Sequence, residues 1–459
     1  MSSRKHKHGR PLRVIVIAII CFAAINSLIK NFDFSSIPLP SPNGSSLSSD
    51  FEDLIDGFKE KFNDFFSSID KFRGGDDDNG GSTGDDDDDD NNGGSTGDDD
   101  DDNGGGNVNN TPQFTYYSYS CMNDDQKKAY DIMYKALTDN ETTVSFEYPE
   151  SFGAYDEIIE IAESVLADHP EIFWITGQYN VQQSVSLTGF GDYTVTFKPF
   201  DYWKYSNDRE KYINELDEKV TEIAGMAKKY DSKFDQVKFV HDYLCKNIEY
   251  DYDVLELPTD DFYSEKCRFS HSAYGALVKN KCVCSGYSKG FQIVMNRLGY
   301  DCAYIIGYAG GGHAWNLLKI DGEYYWMDLT WDEYGEDLKD AVRHSYFGIP
   351  SNIMLKTHLP ESFPPVPECT ATKYEYCSHY ESDFSEFNLD DVIKAVGNQS
   401  DEHVITVRSS SANILDKIAS NYYKIIESPE LKNNKYFRGN SHLATRNDKD
   451  SYTYEIILE

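Results

Sequence analysis

Apolar side chains recur at helical spacing just after residue 284. They fall at intervals of three or four residues, at Tyr287, Phe291, Val294 and Leu298. Gly299 follows at once, as a glycine commonly does at a helix C-terminus. This pattern predicts a helix whose first residue is Cys284.

Two stretches with strand-like composition follow, residues 313–320 and 323–329, separated by Asp321 and Gly322. An Asp-Gly pair between such stretches is typical of a two-residue β-hairpin turn. That turn predicts three cross-strand pairs: Ile320 with Glu323, Trp315 with Asp328, and His313 with Thr330. His313 and Asp328 would then be diagonal neighbours on one face, roughly 7 to 8 Å apart between their Cα atoms.

Weaker patterns precede this core. Residues 124–137 and 155–167 have helical spacing, and residues 181–196 have the composition of a strand. Together they predict an N-terminal α+β extension over residues 113–230.

The core and the tail follow the extension. Residues 231–360 contain the helix and the hairpin. Residues 369–459 predict a small C-terminal α+β subdomain, with a strand at 403–408, a helix at 412–426 and a closing strand at 452–458.

The N-terminus combines a basic tail with an apolar run. Residues 1–13 carry five arginine and lysine side chains, and residues 14–29 carry no charge. Basic residues before an apolar segment hold that end in the cytoplasm. The run is shorter than the ~20 residues of a usual spanning helix, yet no small-x-small cleavage site follows it. We expect a single-pass signal anchor over residues 14–30, with a cleaved signal peptide as the alternative. Either one exports the rest of the chain.

Residues 31–73 predict a stalk with an amphipathic helix. Apolar side chains over residues 51–72 alternate at spacings of four and three, as in a coiled-coil seam. Seven acidic and four basic side chains from Asp50 to Arg73 leave no cationic face for anionic lipid. Self-association or packing within the chain is therefore the expected role.

Residues 74–112 consist almost wholly of Gly, Asp, Asn, Ser and Thr. Such a segment buries too little apolar surface to fold, and its fourteen aspartates repel one another, so we expect a disordered linker. The spacing from Asp88 to Asp99 resembles a calcium loop, but flanking helices and the final glutamate are missing. The net charge is −36, and −22 without the linker aspartates, which argues against nucleic acid as a partner.

Cys284, His313 and Asp328 lie within 45 residues and suit thiol acyl-transfer chemistry. A cysteine nucleophile needs an imidazole as base and a carboxylate that fixes the imidazole tautomer. At a helix N-terminus, the dipole and the unpaired N–H groups favour a negative sulfur. The chain is therefore predicted to be an enzyme.

The residues around these three resemble the transglutaminase-like superfamily. Bacterial members have Val-Cys-x-Gly-Tyr, Gly-His-Ala-Trp-Asn and Val-Asp-x-Thr-Trp-Asp. This chain has Val283-Cys-Ser-Gly-Tyr, Gly312-His-Ala-Trp-Asn and Met327-Asp-Leu-Thr-Trp-Asp. The similarity extends from the segment 241–251 to about His358.

The resemblance implies a papain-like α+β fold, in which a cysteine-bearing helix packs on an antiparallel sheet. It also implies Cys284 as nucleophile, His313 as general base and acid, and Asp328 as the orienting carboxylate. Cys282 departs from the motif, which usually has a small or apolar residue there. It could form a mixed disulfide or fill space.

Other residues of the same types have structural interpretations. Asp332 could supply the carboxylate, but it lies beyond the predicted strand and is typical of a turn, so Asp328 is favoured. We interpret His241 and His271 as structural. Core packing around the site, rather than sugar binding, is expected of Trp315, Trp326 and Trp331.

The chain has nine cysteines, and seven remain for pairing outside Cys21 of the anchor and Cys284. After export, this odd set would leave at least one thiol free or paired between chains. Cys369 and Cys377 are close enough in sequence for a local disulfide. No cysteine or histidine pairs have the spacing of zinc ligands, so we expect no metal and no cofactor.

The expected function is that of an exported, membrane-anchored cysteine enzyme. It would transfer or hydrolyse amide acyl groups of a surface protein or a cell-wall peptide through a thioester. A cysteine peptidase in the same compartment and a non-catalytic surface- or wall-binding module are the alternatives.

Overall fold

The structure, a computed structural model, describes residues 116–149, 153–186, 189–205, 208–255, 257, 264–335, 338, 341–439, 443–448 and 450–458. These residues belong to the unit that spans Gly105–Glu459. The basic tail, the anchor, the stalk and the linker, which are all predicted within residues 1–112, lie outside the described residues. Within the described ranges, no helix is both long and apolar enough to cross a membrane.

The α-helices of these ranges are α1 (Tyr117–Ser120), α2 (Asp124–Thr138), α3 (Ala154–Asp168), α4 (Asp201–Tyr205), α5 (Arg209–Ala227), α6 (Lys233–Asn247), α7 (Tyr252–Leu255), α8 (Cys284–Leu298), α9 (Leu329–Asp332), α10 (Ser351–Met354), α11 (Tyr376–His379), α12 (Leu389–Asn398), α13 (Ala412–Ser420), α14 (Tyr422–Ile426) and α15 (Pro429–Lys432). A 3₁₀-helix spans Glu265–Cys267, and a π-helix spans Gly275–Lys279. The strands are β1 (Thr143–Phe146), β2 (Ile175–Ser186), β3 (Gly189–Pro199), β4 (Glu249–Tyr250), β5 (Lys281–Cys282), β6 (Asp301–Tyr308), β7 (Gly312–Ile320), β8 (Glu323–Met327), β9 (Phe347–Ile349), β10 (Leu359–Pro360), β11 (Val404–Arg408), β12 (Leu443–Asp448) and β13 (Thr453–Leu458). The architecture is mixed α/β.

Helix α8 has the bounds that the apolar spacing predicted. It begins at Cys284, after the extended residue Val283, and ends at Gly299, whose φ is 90°. Glycine adopts this left-handed backbone without steric cost, so the helix stops there. The apolar stripe is buried at Tyr287, Phe291 and Val294. Each such buried side chain stabilises the packed helix by roughly 1.5–3 kcal/mol.

A five-stranded antiparallel sheet lies against α8, with its strands in the order β10–β6–β7–β8–β9. Asn316 of β7 joins the helix to this sheet. Its Nδ2 donates to Ser288 O at 2.9 Å and to Ala303 O at 3.1 Å. Because these bonds are buried, they hold the first turns of α8 in a defined position over β7.

The β7–β8 hairpin has the predicted register in its paired part. Ile320 lies opposite Glu323, and Asn316 lies opposite Met327. The Asp-Gly turn therefore determined the pairing as expected.

Beyond Met327 the strand ends, and the predicted pairs of Trp315 with Asp328 and of His313 with Thr330 are wrong. Asp328 is instead the N-cap of α9, and its Oδ1 accepts the N–H groups of Thr330 at 2.9 Å and Trp331 at 3.2 Å. An aspartate that satisfies helix N–H groups turns the chain out of the strand.

A second antiparallel sheet, in the order β1–β3–β2, lies in the N-terminal part of the described residues. The stretch predicted as one strand at 181–196 is a hairpin of β2 and β3. Helix α2 starts with a capping box of Asn123 and Gln126. The helical spacing predicted α2 and α3 to within a residue or two at each end.

The C-terminal residues form a third antiparallel sheet, in the order β11–β13–β12, with its own apolar cluster. The helix predicted at 412–426 is interrupted at Asn421 and gives α13 and α14. Strand β12 was not predicted, because its residues are mostly polar and are only partly buried or exposed.

All described cysteines are free. Cys369 packs with the outer face of the five-stranded sheet, and Cys377 packs in the main core. The local disulfide considered for this pair is not formed.

Candidate active site

Cys284 occupies the first position of α8, half-buried, at the wall of a cavity. Its N-cap residue, Val283, has no side chain that could cap the helix. Tyr250 lines the same cavity. The N–H groups of the first turn and the helix dipole favour negative charge on the sulfur.

Cys282, the departure from the family motif, lies in β5 directly against the first turn of α8. A Cβ added at Gly286 would lie 2.7 Å from Cys282 Sγ, so glycine is needed for this contact. Burial, and then the charge of Cys284, raise the pKa of Cys282 well above its usual value. In this structure Cys282 fills space as a neutral thiol.

His313 and Asp328 are joined by a hydrogen bond of 2.7 Å between Nε2 and Oδ2. Both side chains are largely enclosed, with 9% of His313 and 1% of Asp328 exposed. The Cys284 thiol lies close enough to the His313 ring to raise the pKa of that ring. Because Nε2 bonds to Asp328, Nδ1 is the ring nitrogen left to face the thiol. The structure thus brings together the three residues predicted as the site.

The His313 ring carries its second proton at neutral pH. Burial lowers its pKa, but the charge and hydrogen bond of Asp328, together with the nearby Cys284, outweigh burial and raise the pKa of His313 to about 10. A positive imidazole beside a sulfur favours the thiolate. His313 is therefore placed to assist the Cys284 sulfur as a nucleophile.

Asp328 also bonds a second imidazole. His358 Nε2 lies 3.0 Å from Asp328 Oδ2, and Thr357 Oγ1 lies 2.8 Å from His358 Nδ1. Burial raises the pKa of Asp328, but the charges and hydrogen bonds of His313 and His358 overcome it and hold that pKa well below its usual range. The carboxylate stays ionised and can orient His313 without taking its proton.

A cavity of about 370 Å³ opens over Cys284 and His313. Its volume lies within the usual range for ligand pockets. Helix α8 and strands β6 and β7 form one side, and the other side comes from β2 and the end of α3 through residues such as Leu166 and Gly177. This volume suits a side chain with part of its peptide backbone.

The residues interpreted as structural lie elsewhere or beside the reacting groups. His241 is fully buried, and its Nε2 lies 3.2 Å from Asp332 Oδ2. Asp332 ends α9 and also accepts the Tyr346 N–H at 3.0 Å. His271 lines the cavity, with Nδ1 2.9 Å from Ser285 Oγ. Asp332 thus supports His241 rather than His313.

The tryptophans form an enclosed wall. Trp315 and Trp326 are buried, as predicted for core packing. The Trp331 ring lies 4.5 Å from the His358 ring and 6.0 Å from the His313 ring, measured between centroids. These rings exclude water from the far side of the imidazole pair.

Two side-chain groups in the described part of the chain have the spacing of metal ligands: His313, Asp328 and His358, and His241, Asp242 and His344. In both, one carboxylate oxygen is already within hydrogen-bond distance of two rings, at 2.7 and 3.0 Å for Asp328 and at 3.1 and 2.8 Å for Asp242. Lys238 Nζ also lies 2.7 Å from Asp242, and a cation there opposes a metal ion. Hydrogen bonds account for both groups, so we assign no metal.

Two neighbours of the site were missed in the sequence. His358 lies 30 residues beyond Asp328, and no helix or strand period connects the two. Tyr250 precedes Asp251 at the end of the segment that resembles the superfamily, and that position was the available signal. Both residues reach the site through folding of distant segments.

Comparison with known proteins agrees with the motifs. Residues 221–330 match the transglutaminase-like superfamily. The kyphoscoliosis peptidases of Mus musculus and Homo sapiens are 23% and 24% identical to this chain over 159 and 156 residues. These matches cover 32% and 31% of this chain but 22% of each relative. A solved structure described as a TGase matches 35% of this chain and 47% of its own, with 19% identity and a TM-score of 0.25.

Residues 221–330 are therefore a transglutaminase-like domain. This domain contains Cys284, His313 and Asp328.

Proposed function

We propose that this chain is a cysteine enzyme that transfers or hydrolyses the acyl group of an amide through a thioester on Cys284. The supporting observation is the continuous set of contacts from Cys284 to His313 to Asp328, with the thiol at the wall of a cavity. A papain-like arrangement, with the nucleophile on a helix and the base on a sheet, agrees with this role.

In the first half-reaction, the Cys284 sulfur attacks the amide carbonyl carbon and forms a C–S bond. The C–N bond then breaks, and the proton held by His313 passes to the leaving amine. Asp328 remains ionised and stabilises the His313 imidazolium before this transfer. The product is a thioester and a free amine.

In the second half-reaction, an amine or water attacks the thioester carbonyl. His313, now neutral, takes the proton of the attacking group, and the sulfur leaves as a thiolate. An amine acceptor gives a new amide, and water gives a carboxylic acid. The same residues serve both outcomes, so the acceptor decides between transfer and hydrolysis.

The proposed substrate is a protein or peptide, because the cavity has room for one side chain and its backbone. Hydrolysis of peptide bonds is the second candidate. It is favoured by the relatives in mouse and human, whose name describes a peptidase.

The compartment is also part of the proposal. The basic tail at residues 1–13 and the apolar residues 14–29 support an exported enzyme with a membrane anchor. The acidic linker at 74–112 would give the catalytic part reach. When a protease is added to intact cells, it should cleave the chain within this linker, because an exposed low-complexity segment is easily cut. An uncut chain recovered from the cytosol would contradict export.

The reaction itself is tested by trapping the thioester. The full chain is mixed with a glutamine-containing peptide and a biotin-labelled primary amine, and Cys284 is mapped by mass spectrometry. We expect an acyl adduct on Cys284 and its transfer to the amine or to water. Cys284→Ala should give neither, whereas Cys245→Ala should give both. Product formation by Cys284→Ala at the normal rate would overturn the proposal.

A further inference from the structure

Lys289 lies on the same helix as Cys284 and lines the same cavity. Five residues separate the two, which corresponds to a rise of about 7.5 Å along the helix. Lys289 also lines an adjoining cavity of about 230 Å³ and stands where the two spaces share a wall. Its ammonium group lies 5.1 Å from the centroid of the Tyr304 ring.

This cation has no counter-charge among the residues that the structure describes. Burial alone lowers the pKa of Lys289 to about 8, and no carboxylate acts on it. Lys238, in contrast, is paired with two carboxylates, since its Nζ lies 2.7 Å from Asp242 and 2.9 Å from Glu402. Withdrawing an ammonium group from water without a partner is costly, so a cavity ligand that supplied a carboxylate would gain from the contact.

The other charged groups of the cavity do not provide that partner. Arg268 pairs with Glu265 at 3.0 Å and packs over the Tyr202 ring. Glu361 lines both cavities, but burial and the nearby Glu163 raise the pKa of Glu361, and Lys289 does not act on it. Glu361 and Glu163 therefore line the space beside Lys289, but neither forms an ion pair with it, and Lys289 has no salt-bridge partner among the described residues.

We propose that Lys289 binds a carboxylate of the substrate, so that the enzyme selects peptides with a negative charge close to the amide that Cys284 attacks. This inference rests on the proposed function, because it takes the Cys284 thiol as the attacking group. Extended peptide advances about 3.3 Å per residue, so the charge would lie about two residues from the reacting amide. An acidic side chain and a chain-terminal carboxylate present the same group.

The first test uses two small alkylating agents of similar size. Iodoacetate carries a carboxylate and iodoacetamide is neutral, and both react with Cys284. We expect the rate ratio of iodoacetate to iodoacetamide at Cys284 to fall about fivefold to tenfold in Lys289→Met. Lys289→Arg should keep most of the ratio because it keeps the charge.

Lys319→Met is the matched control. Lys319 also lies near an aromatic ring, 5.3 Å from Tyr324, but it pairs with Asp301 at 3.8 Å and does not line the cavity. Its ratio should equal that of the unmodified chain. Circular dichroism of each full-length variant checks folding. An unchanged ratio in folded Lys289→Met would overturn the inference.

A second test distinguishes the two carboxylate sources. Full-length Cys284→Ala is titrated with three fluorescent versions of one peptide: neutral, with an internal glutamate and an amidated end, and with a free C-terminal carboxylate only. The same titrations are repeated with the double variant Cys284→Ala/Lys289→Met. The anionic peptide whose affinity falls in the double variant shows whether Lys289 binds a side-chain carboxylate or a C-terminal one. If neither anionic version depends on Lys289, the inference is wrong.

The two proposals can fail separately. A lysine-dependent alkylation ratio without any thioester would contradict the proposed function and leave the carboxylate site standing. A thioester with an alkylation ratio that does not depend on Lys289 would do the reverse.

Discussion

The set of Cys284, His313 and Asp328 has a counterpart in the same chain. Cys245 Sγ lies 4.0 Å from His241 Nε2, and that nitrogen lies 3.2 Å from Asp332 Oδ2. Both aspartates belong to one turn, since Asp328 caps α9 and Asp332 ends it. Because both sets contain a cysteine, a histidine and an aspartate, the differences between them show what the geometry contributes to reactivity.

The imidazole nitrogens make the first difference. In the candidate site, Asp328 forms a hydrogen bond with His313 Nε2, so Nδ1 is the ring nitrogen that can face the Cys284 thiol. In the second set, both nitrogens of His241 face carboxylates, because Nδ1 also lies 3.1 Å from Asp242. Burial lowers the pKa of His241, but its neighbours raise it well above the usual value. Both ring nitrogens of His241 are thus engaged by carboxylates, whereas Nδ1 of His313 is not.

The position of the sulfur makes the second difference. Cys284 is at a helix N-terminus and half-buried. Cys245 lies near the C-terminus of α6, is 5% exposed, and donates to Leu329 O at 3.5 Å. Burial raises the pKa of Cys245 to about 11, although the second set borders a cavity of about 470 Å³. A cavity therefore does not make a nucleophile, because the thiol must also be able to lose its proton.

The strongest test of this comparison removes each sulfur. Cys284→Ala should abolish turnover, with a loss of about 10⁶-fold, as removal of a nucleophile does. Cys245→Ala should retain turnover to within about tenfold, because it removes a buried packing group. Turnover of an amide peptide by the full chain, normalised to folded protein, is the measurement. A folded but inactive Cys245→Ala with an active Cys284→Ala would reverse the assignment.

The two carboxylates should separate activity from stability. Asp328→Asn should reduce turnover by about 10⁴-fold while the fold persists. Combining it with His313→Ala should add little, because residues that act as a unit are not additive.

Asp332→Asn is the matched control for this pair. It should destabilise the chain by about 3–5 kcal/mol, since it leaves a buried positive ring without one of its two carboxylate partners. Turnover per folded molecule should stay within about tenfold. Urea unfolding and kcat/KM give the two quantities, and an equal loss of kcat/KM in both variants would contradict the comparison.

The pH dependence of stability should depend on His313. Its folded pKa of about 10 lies above the ordinary value of 6.5, so the proton stabilises the fold fully below about pH 6.5, and this contribution disappears as the pH rises through 10. The loss should amount to about 3–5 kcal/mol. Unfolding free energies of the unmodified chain and His313→Gln should therefore converge between pH 7 and 10. Parallel curves would show that His313 is not protonated in the folded state.

Alkylation gives the smallest expected contrast. At pH 7, iodoacetamide should label Cys284 at least about 100-fold faster than Cys245, because a buried neutral thiol is unreactive. Peptide mapping over time measures both rates in one sample. Denaturant should remove the difference, and equal labelling of the native chain would contradict it.

Local residue spacing predicted much of the core that surrounds the candidate site. The limits of α8 and the register of the β7–β8 hairpin both follow from short-range rules, because helix period, a terminal glycine and an Asp-Gly turn act within a few residues. The choice of Cys284, His313 and Asp328 came from motifs and predicted faces, and the structure joins His313 to Asp328 by a hydrogen bond and places Cys284 at the same cavity. The path of the chain at Asp328 was mispredicted, because its capping role competes with the strand.

The sequence by itself determined which helix starts at the cysteine, which turn joins the two strands, and which residue types could react. Tertiary structure alone decided that His358 joins Asp328, that both nitrogens of His241 face carboxylates, and that Lys289 lines a cavity without an ion-pair partner among the residues that the structure describes. These outcomes depend on contacts between segments tens of residues apart. Burial and charge pairing result from such packing, so the local spacing of residues along the chain does not predict them.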